Sequence, residues 1–181
     1  MSDPITVLSY DPVWSELFRQ LGAQLRAALD GVALRIDHIG STAVPGLAAK
    51  PIVDVQISVE RLEPVEPFRS PLEAAGFVYR AANTERTKRY FREAPGQRRT
   101  HVHVRRAGSF SEQFALLFRD FLRADPAAAL DYGQRKQALA AKWVHDRRGY
   151  LEAKLPITWD VLRRADQWAQ RIGWEPGPSD A

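Results

Sequence analysis

HIGSTAVPGLAAKPIVDVQISV, residues 38–59, holds the end of one strand, a turn and the whole of a second strand. The second strand, PIVDVQISV, alternates without a break. Val53, Val55, Ile57 and Val59 share one face, and Asp54, Gln56 and Ser58 share the other. The first face suits a core, and the second presents polar groups to a cleft. Upstream, ALRIDHIG reads as a strand that runs into Gly40-Ser41-Thr42. Such a turn, feeding a short helix, aims unpaired backbone N–H groups and a hydroxyl at an anion, for which phosphate is the natural guest. Ser41 as a plain helix cap, contributing about 1 kcal/mol, explains the tripeptide better when it is taken alone. A Walker-type loop is excluded, because five residues separate Gly40 from Gly46 and Lys50 precedes a proline.

Outward from this stretch the periodicities are clear. Asp11 and Pro12 open a helix striped with Trp14, Leu17, Phe18, Leu21, Leu25 and Ala28, which Gly31 ends. A second helix is expected over 64–75. FVYRAA, TKRYFREA and THVHVRRA read as three extended pieces, with APGQRR as a connector for antiparallel strands. From Ser111 the pattern is helical: one helix striped with Phe114, Leu117, Phe118 and Leu122, and a second opened by Asp125-Pro126. A third contains Trp159, Leu162, Ala165 and Trp168, with Pro156 near its start. The predicted fold class is α+β: a mixed sheet of about five strands over residues 1–107, flanked by helices on one side. A C-terminal helical module over 108–174 and a flexible tail over 175–181 follow.

A chain of 181 residues buries enough surface to need no covalent staples. Absent cysteine removes disulfides, thiolate zinc sites and cysteine nucleophiles, and fits a reducing compartment. No secretory signal and no apolar run long enough to span a bilayer is read, so a cytoplasmic protein without a membrane partner is expected. The net charge of +4 is unevenly spread: residues 80–106 carry nine Lys and Arg against Glu85 and Glu93, a local +7. That excess attracts anions, or serves only as a solvated surface.

Asp54 is the residue on which the chemistry turns. A carboxylate inside a short β-branched strand needs a partner, either a divalent metal or an arginine. His101 and His103, two apart in THVHVRRA, point to one face. With Asp54 they form a His-His-carboxylate set suited to Zn²⁺, Mn²⁺ or Fe²⁺. Alternatively one histidine serves as a general base or a phosphate donor, or the pair is a cross-strand hydrogen-bonded contact. His38 groups by parity with Leu34 and Ile36, as a buried histidine holding the turn. Arg80, Lys88, Arg89 and Arg92 on neighbouring strands, with Lys50 ahead of the Asp54 strand, would grip phosphates. Arg119 and Asp120 read as an ion pair between helices.

YDPVWSELF, IDHIGSTAVPGLAAKPIVDV, RYF, HVHV, FRDFLR and the Tyr150–Lys154 pair of YLEAK, spread from Tyr10 to about Trp168, resemble the GrpB-like family. The Gly-Ser … Asp spacing likewise resembles the DNA polymerase beta superfamily of nucleotidyltransferases. The resemblance implies a nucleotidyltransferase-like fold with a nucleotide, or another phosphorylated small molecule, at Gly40, Ser41 and Thr42. It implies a divalent metal, Mg²⁺ or Mn²⁺ with Zn²⁺ also admitted, at Asp54, and a cleft closed by Tyr150 and Lys154. It further implies metal-dependent transfer of a nucleotidyl group to a small acceptor. Where the superfamily pattern has a second acid, this chain has Gln56, whose carbonyl can ligate but adds no charge. The alternative is therefore a catalytically silent binding protein, and the occurrence of relatives fused to dephospho-coenzyme A kinase suits an accessory role. Nucleic acid ranks last among partners, since no recognised motif accompanies the charge.

Overall fold

Strand alternation sets the architecture. The computed structural model describes residues 4–181. Its five strands are β1 (Arg35–Ile39), β2 (Val53–Val59), β3 (Phe77–Tyr79), β4 (Lys88–Glu93) and β5 (Thr100–Arg106), in spatial order β1-β2-β5-β4-β3. β2 and β5 pair in parallel and the other neighbours antiparallel, so the sheet is mixed as predicted. Ile36, Val55, Ile57, Phe91, Val102 and Val104 are fully buried on one face. Against them pack Phe18, Leu25 and Leu29 of α1 (Val13–Leu29) and Phe68 and Leu72 of α2 (Glu66–Ala74). Each such side chain contributes about 1.5–3 kcal/mol by leaving water.

The C-terminal half forms α3 (Phe110–Ala124), α4 (Pro126–Lys142) and α5 (Arg147–Ile172). They enclose a second core of Phe121, Leu122, Tyr132, Ile157, Val161 and Ala165, into which the chain segment after the Gly-Ser turn inserts Val44 and Leu47. That insertion ties the turn to the helical module.

Four expectations are corrected. Helices lie on both faces of the sheet, since α3 crosses the polar face, where Gln56 Nε2 donates to Glu112 O at 3.4 Å and Arg119 reaches His38 O. The buried polar groups Asp37, Gln56 and Ser58 need such a cover with hydrogen-bonding capacity. The last helix begins at Arg147, where the Asp146 carboxylate accepts from Gly149 N, so Pro156 lies inside it rather than near its start. The tail expected to be flexible runs beside β1. Ile36 N donates to Ser179 Oγ (2.8 Å), His38 N to Asp180 Oδ2 (2.9 Å) and Ala181 N to Ile36 O (3.1 Å). β1 is an edge strand, and the tail satisfies the backbone groups that its free edge leaves over. Arg119 and Asp120 are neighbours on α3 at 2.7 Å, and the partners of Arg119 on other segments are Asp37 and Asp180.

Candidate functional site

Parallel pairing of β2 with β5 puts Asp54 beside His101 and Gln56 beside His103, and antiparallel pairing of β4 with β5 puts Tyr90 beside His103. Period two then brings Asp54, His101, His103, Lys88, Tyr90 and Arg92 to the polar face. They form the floor of a cleft of about 1130 Å³. Ser41, Thr42 and Lys50 form one wall, and Lys136, Arg147, Tyr150 and Lys154 of the helical module form the other.

Asp54 Oδ1 lies 3.2 Å from both His101 Nδ1 and His103 Nε2. Burial works to raise the Asp54 carboxyl, but the two histidine contacts outweigh it and hold it well below the usual carboxylate range. Burial pushes His103 down to about 4 despite that contact, so its ring is neutral at pH 7. The far ring nitrogens, His101 Nε2 and His103 Nδ1, have no hydrogen-bond partner among the described residues. Asp54, His101 and His103 are the one His/Asp/Glu cluster among the described residues with metal-ligand proximity, their donor atoms lying within 4.8 Å of one another.

Gly40 makes room for this arrangement. At φ 72° and ψ −169° it lies where only glycine is at ease, and a Cβ there would stand 2.8 Å from Asp54 Oδ2. The next two residues are anchored. Ser41 Oγ accepts from Lys136 Nζ at 2.6 Å, and the same amine donates to Ala48 O at 2.7 Å. Thr42 Oγ1 is within 3.0 Å of His38 Nε2 and donates to Ile52 O at 3.2 Å. His38 stacks on Phe18 at 4.7 Å, and burial holds it neutral, down to about 3. Its parity and role are those read from the sequence.

Cations crowd both sides of the cleft. Lys50 Nζ sits 4.1 Å over the Tyr150 ring, and burial, with Lys154, Arg147 and Arg99 nearby, lowers it to about 8. Burial also lowers Lys154 and takes Lys136 well below the ordinary lysine range. Tyr90 and Tyr150 are each pushed up to about 12 by burial and stay protonated. Like charges this close repel one another, and an anion bound among them relieves that repulsion.

Of the expected site residues, Asp54, His101, His103, Ser41, Thr42, Lys50, Lys88, Tyr150 and Lys154 line the cleft, and Gly40 backs it. Three do not. Gln56, expected as a metal ligand, is fully buried, its carbonyl accepting from Arg105 Nη1 and its amide spent on Glu112 O. Arg89 lies on the apolar side of β4, because Lys88 and Tyr90 take the cleft side, and it pairs with Glu63 at 2.6 Å. Arg80 is exposed beyond the end of β3, outside the cleft. The sequence reading missed Tyr90, Lys136 and Arg147. The alternation of KRYFRE was enough to place Tyr90 with the histidines, whereas no local signal carried Lys136 or Arg147.

Residues 4–164 match the GrpB protein family. The chain is 36% identical over 198 residues to a dephospho-CoA kinase of Mycolicibacterium paratuberculosis, a match covering 96% of this chain and 49% of that protein. It thus spans about half the length of the curated relatives it matches. The solved structure of conserved protein GrpB from Enterococcus faecalis superposes with a TM-score of 0.78 at 34% identity, covering 90% of this chain and 99% of that one. The Cid1 poly(U) polymerase bound to Mg 3′-dATP shares the fold with a TM-score of 0.52 at 11% identity, covering 81% of this chain and 49% of that one. The fold is nucleotidyltransferase-like, and the chain belongs to the GrpB protein family.

Proposed function

We propose that the cleft binds a nucleotide, or a comparable phosphorylated small molecule, and assists metal-dependent transfer of a nucleotidyl group to a small acceptor. The observation that carries this reading is the meeting of Asp54, His101 and His103 in a cleft with cations on both sides. The Gly40–Thr42 turn, Lys50 and Lys154 hold the phosphates, and Lys136 fixes the turn through Ser41. Tyr150 carries Lys50 on its ring face and limits where the ammonium can go. Two nitrogens and one carboxylate oxygen suit a divalent cation, so Asp54, His101 and His103 are the residues that would hold it. Such an ion supplies charge neutralisation at the reacting phosphoryl oxygens. Protein groups supply position, and burial makes each fixed charge count for more than it would in water.

The likeness to Cid1, which was solved with Mg 3′-dATP bound, supports a nucleotide as the ligand class through the shared fold alone. Calorimetric titration with ATP and the other nucleoside triphosphates, in Mn²⁺ and in Mg²⁺, tests the reading with wild type beside Asp54→Ala. Binding weakened at least tenfold in the variant is expected, and equal affinity removes Asp54 from the site.

The locked Gln56 favours a second reading, in which the same cleft binds its ligand without turnover. Assaying the native chain for both nucleotide binding and release of pyrophosphate separates the two. Bound nucleotide with no pyrophosphate released assigns the chain to binding.

A further inference from the structure

Asp54 Oδ1, His101 Nδ1 and His103 Nε2 approach one another from two adjacent strands. Mg²⁺ takes oxygen donors almost exclusively, whereas paired imidazoles with a carboxylate suit the borderline-soft transition ions. The other oxygen donors nearby are committed. Gln56 Oε1 accepts from Arg105, Glu93 from Arg92 and Thr100 N, and Glu85 from Lys88 and Thr87. Apart from Asp54, the carboxylates that line the cleft, Glu85 and Glu93, are thus already paired.

The two histidine nitrogens each lie 3.2 Å from Asp54 Oδ1, so one ion can reach all three groups with little movement. We propose that the cleft holds a single tetrahedral ion of the zinc class on Asp54, His101 and His103, with its fourth position open to the cleft. This narrows the ion of the reading above and rests on that reading for where the ion sits, not for the nucleotide.

Three protein ligands and one open position are the pattern of a reactive zinc site rather than a structural one. The unpartnered far nitrogens of both histidines add a consequence. Ligating histidines usually donate their second N–H to a carboxylate or carbonyl, and losing that partner costs about 10–100-fold in affinity. The ion is thus exchangeable, and a chelator removes it without unfolding the chain.

The experiment uses the full chain, stripped by chelator and dialysed against Zn²⁺ or Co²⁺ with no nucleotide present. One ion per chain is expected, retained against a large excess of Mg²⁺, and the Co²⁺ form shows the intense visible absorption of a tetrahedral site. Asp54→Asn and His103→Gln each weaken Zn²⁺ binding by at least about 100-fold, beyond what loss of an outer partner alone costs. Circular dichroism identifies any variant that fails to fold, and His101→Gln then takes its place. Two ions per chain, displacement by Mg²⁺, a weakly absorbing octahedral Co²⁺ spectrum, or unchanged Zn²⁺ affinity in folded variants would overturn the proposal. Because nucleotide is absent, its failure to bind in the calorimetric test leaves this result standing, and the reverse also holds.

Discussion

Gly40 shows how little freedom the site leaves its neighbours. Its backbone conformation is closed to residues with a Cβ, and the space that a Cβ would take belongs to the Asp54 carboxylate. Gly40→Ala is therefore expected to destabilise the fold by about 1–3 kcal/mol in urea unfolding. It also weakens metal binding, because the displaced group is the carboxylate. Lys50 offers a second residue-scale test. Its folded pKa, about 8, is below its ordinary value, so protonated Lys50 works against the fold, and that burden lifts as pH rises through about 8. A bound anion reverses the preference. Affinity for ATP or pyrophosphate is expected to fall roughly tenfold as pH rises through about 8. Lys50→Gln binds more weakly at neutral pH and lacks that decline, a comparison calorimetry can make. Asp54 and both histidines were legible as residues because period two in VDVQISV and THVHV is a local property. The seat of Gln56 was not, since its partner Arg105 lies 49 positions away.

Elements carry the next level. The segment from Ser41 to Ala49 is neither strand nor regular helix for most of its length, yet it is held at both ends and in the middle. Thr42 fastens it to Ile52, Val44 and Leu47 sink into the helical core, and Lys136 of α4 spans Ser41 and Ala48. Lys136→Met keeps the apolar stem but loses both hydrogen bonds. It is expected to cost about 1–3 kcal/mol in chemical unfolding and to speed amide exchange over residues 41–49. Unchanged exchange there would mean that α4 does not brace the turn. Lysine at this place gave no advance notice, because its helix stripe looks like any other and its acceptors belong to a distant turn. Arg89 is a different case: the KRYFRE alternation turns it away from Lys88 and Tyr90, which its charge alone does not reveal.

At the scale of the molecule, residues 179–181 occupy the outer edge of β1. Truncation after Glu175 is expected to lower the thermal midpoint and to promote concentration-dependent self-association through the bared edge. Light scattering after size exclusion reads the second effect, and a monomer at all concentrations contradicts it. A composition of Gly, Pro, Ser and Asp suggested mobility, and no pattern in those residues shows that an unfilled strand edge awaits them. The β-sheet order was legible only in part. Alternation marks strands and faces, but the parallel seam between β2 and β5 arises from the intervening α2 and β3–β4 hairpin folding back, a long-range outcome.

That seam has a further consequence. The aspartate and its two imidazoles arrive from chain positions nearly fifty apart, with no hairpin to bring them together early, so their meeting belongs among the late events of folding. A slip of one residue along the seam would bury both rings on the wrong side. An ion held by all three groups, as proposed above, would therefore report a sheet whose parallel seam has closed in register.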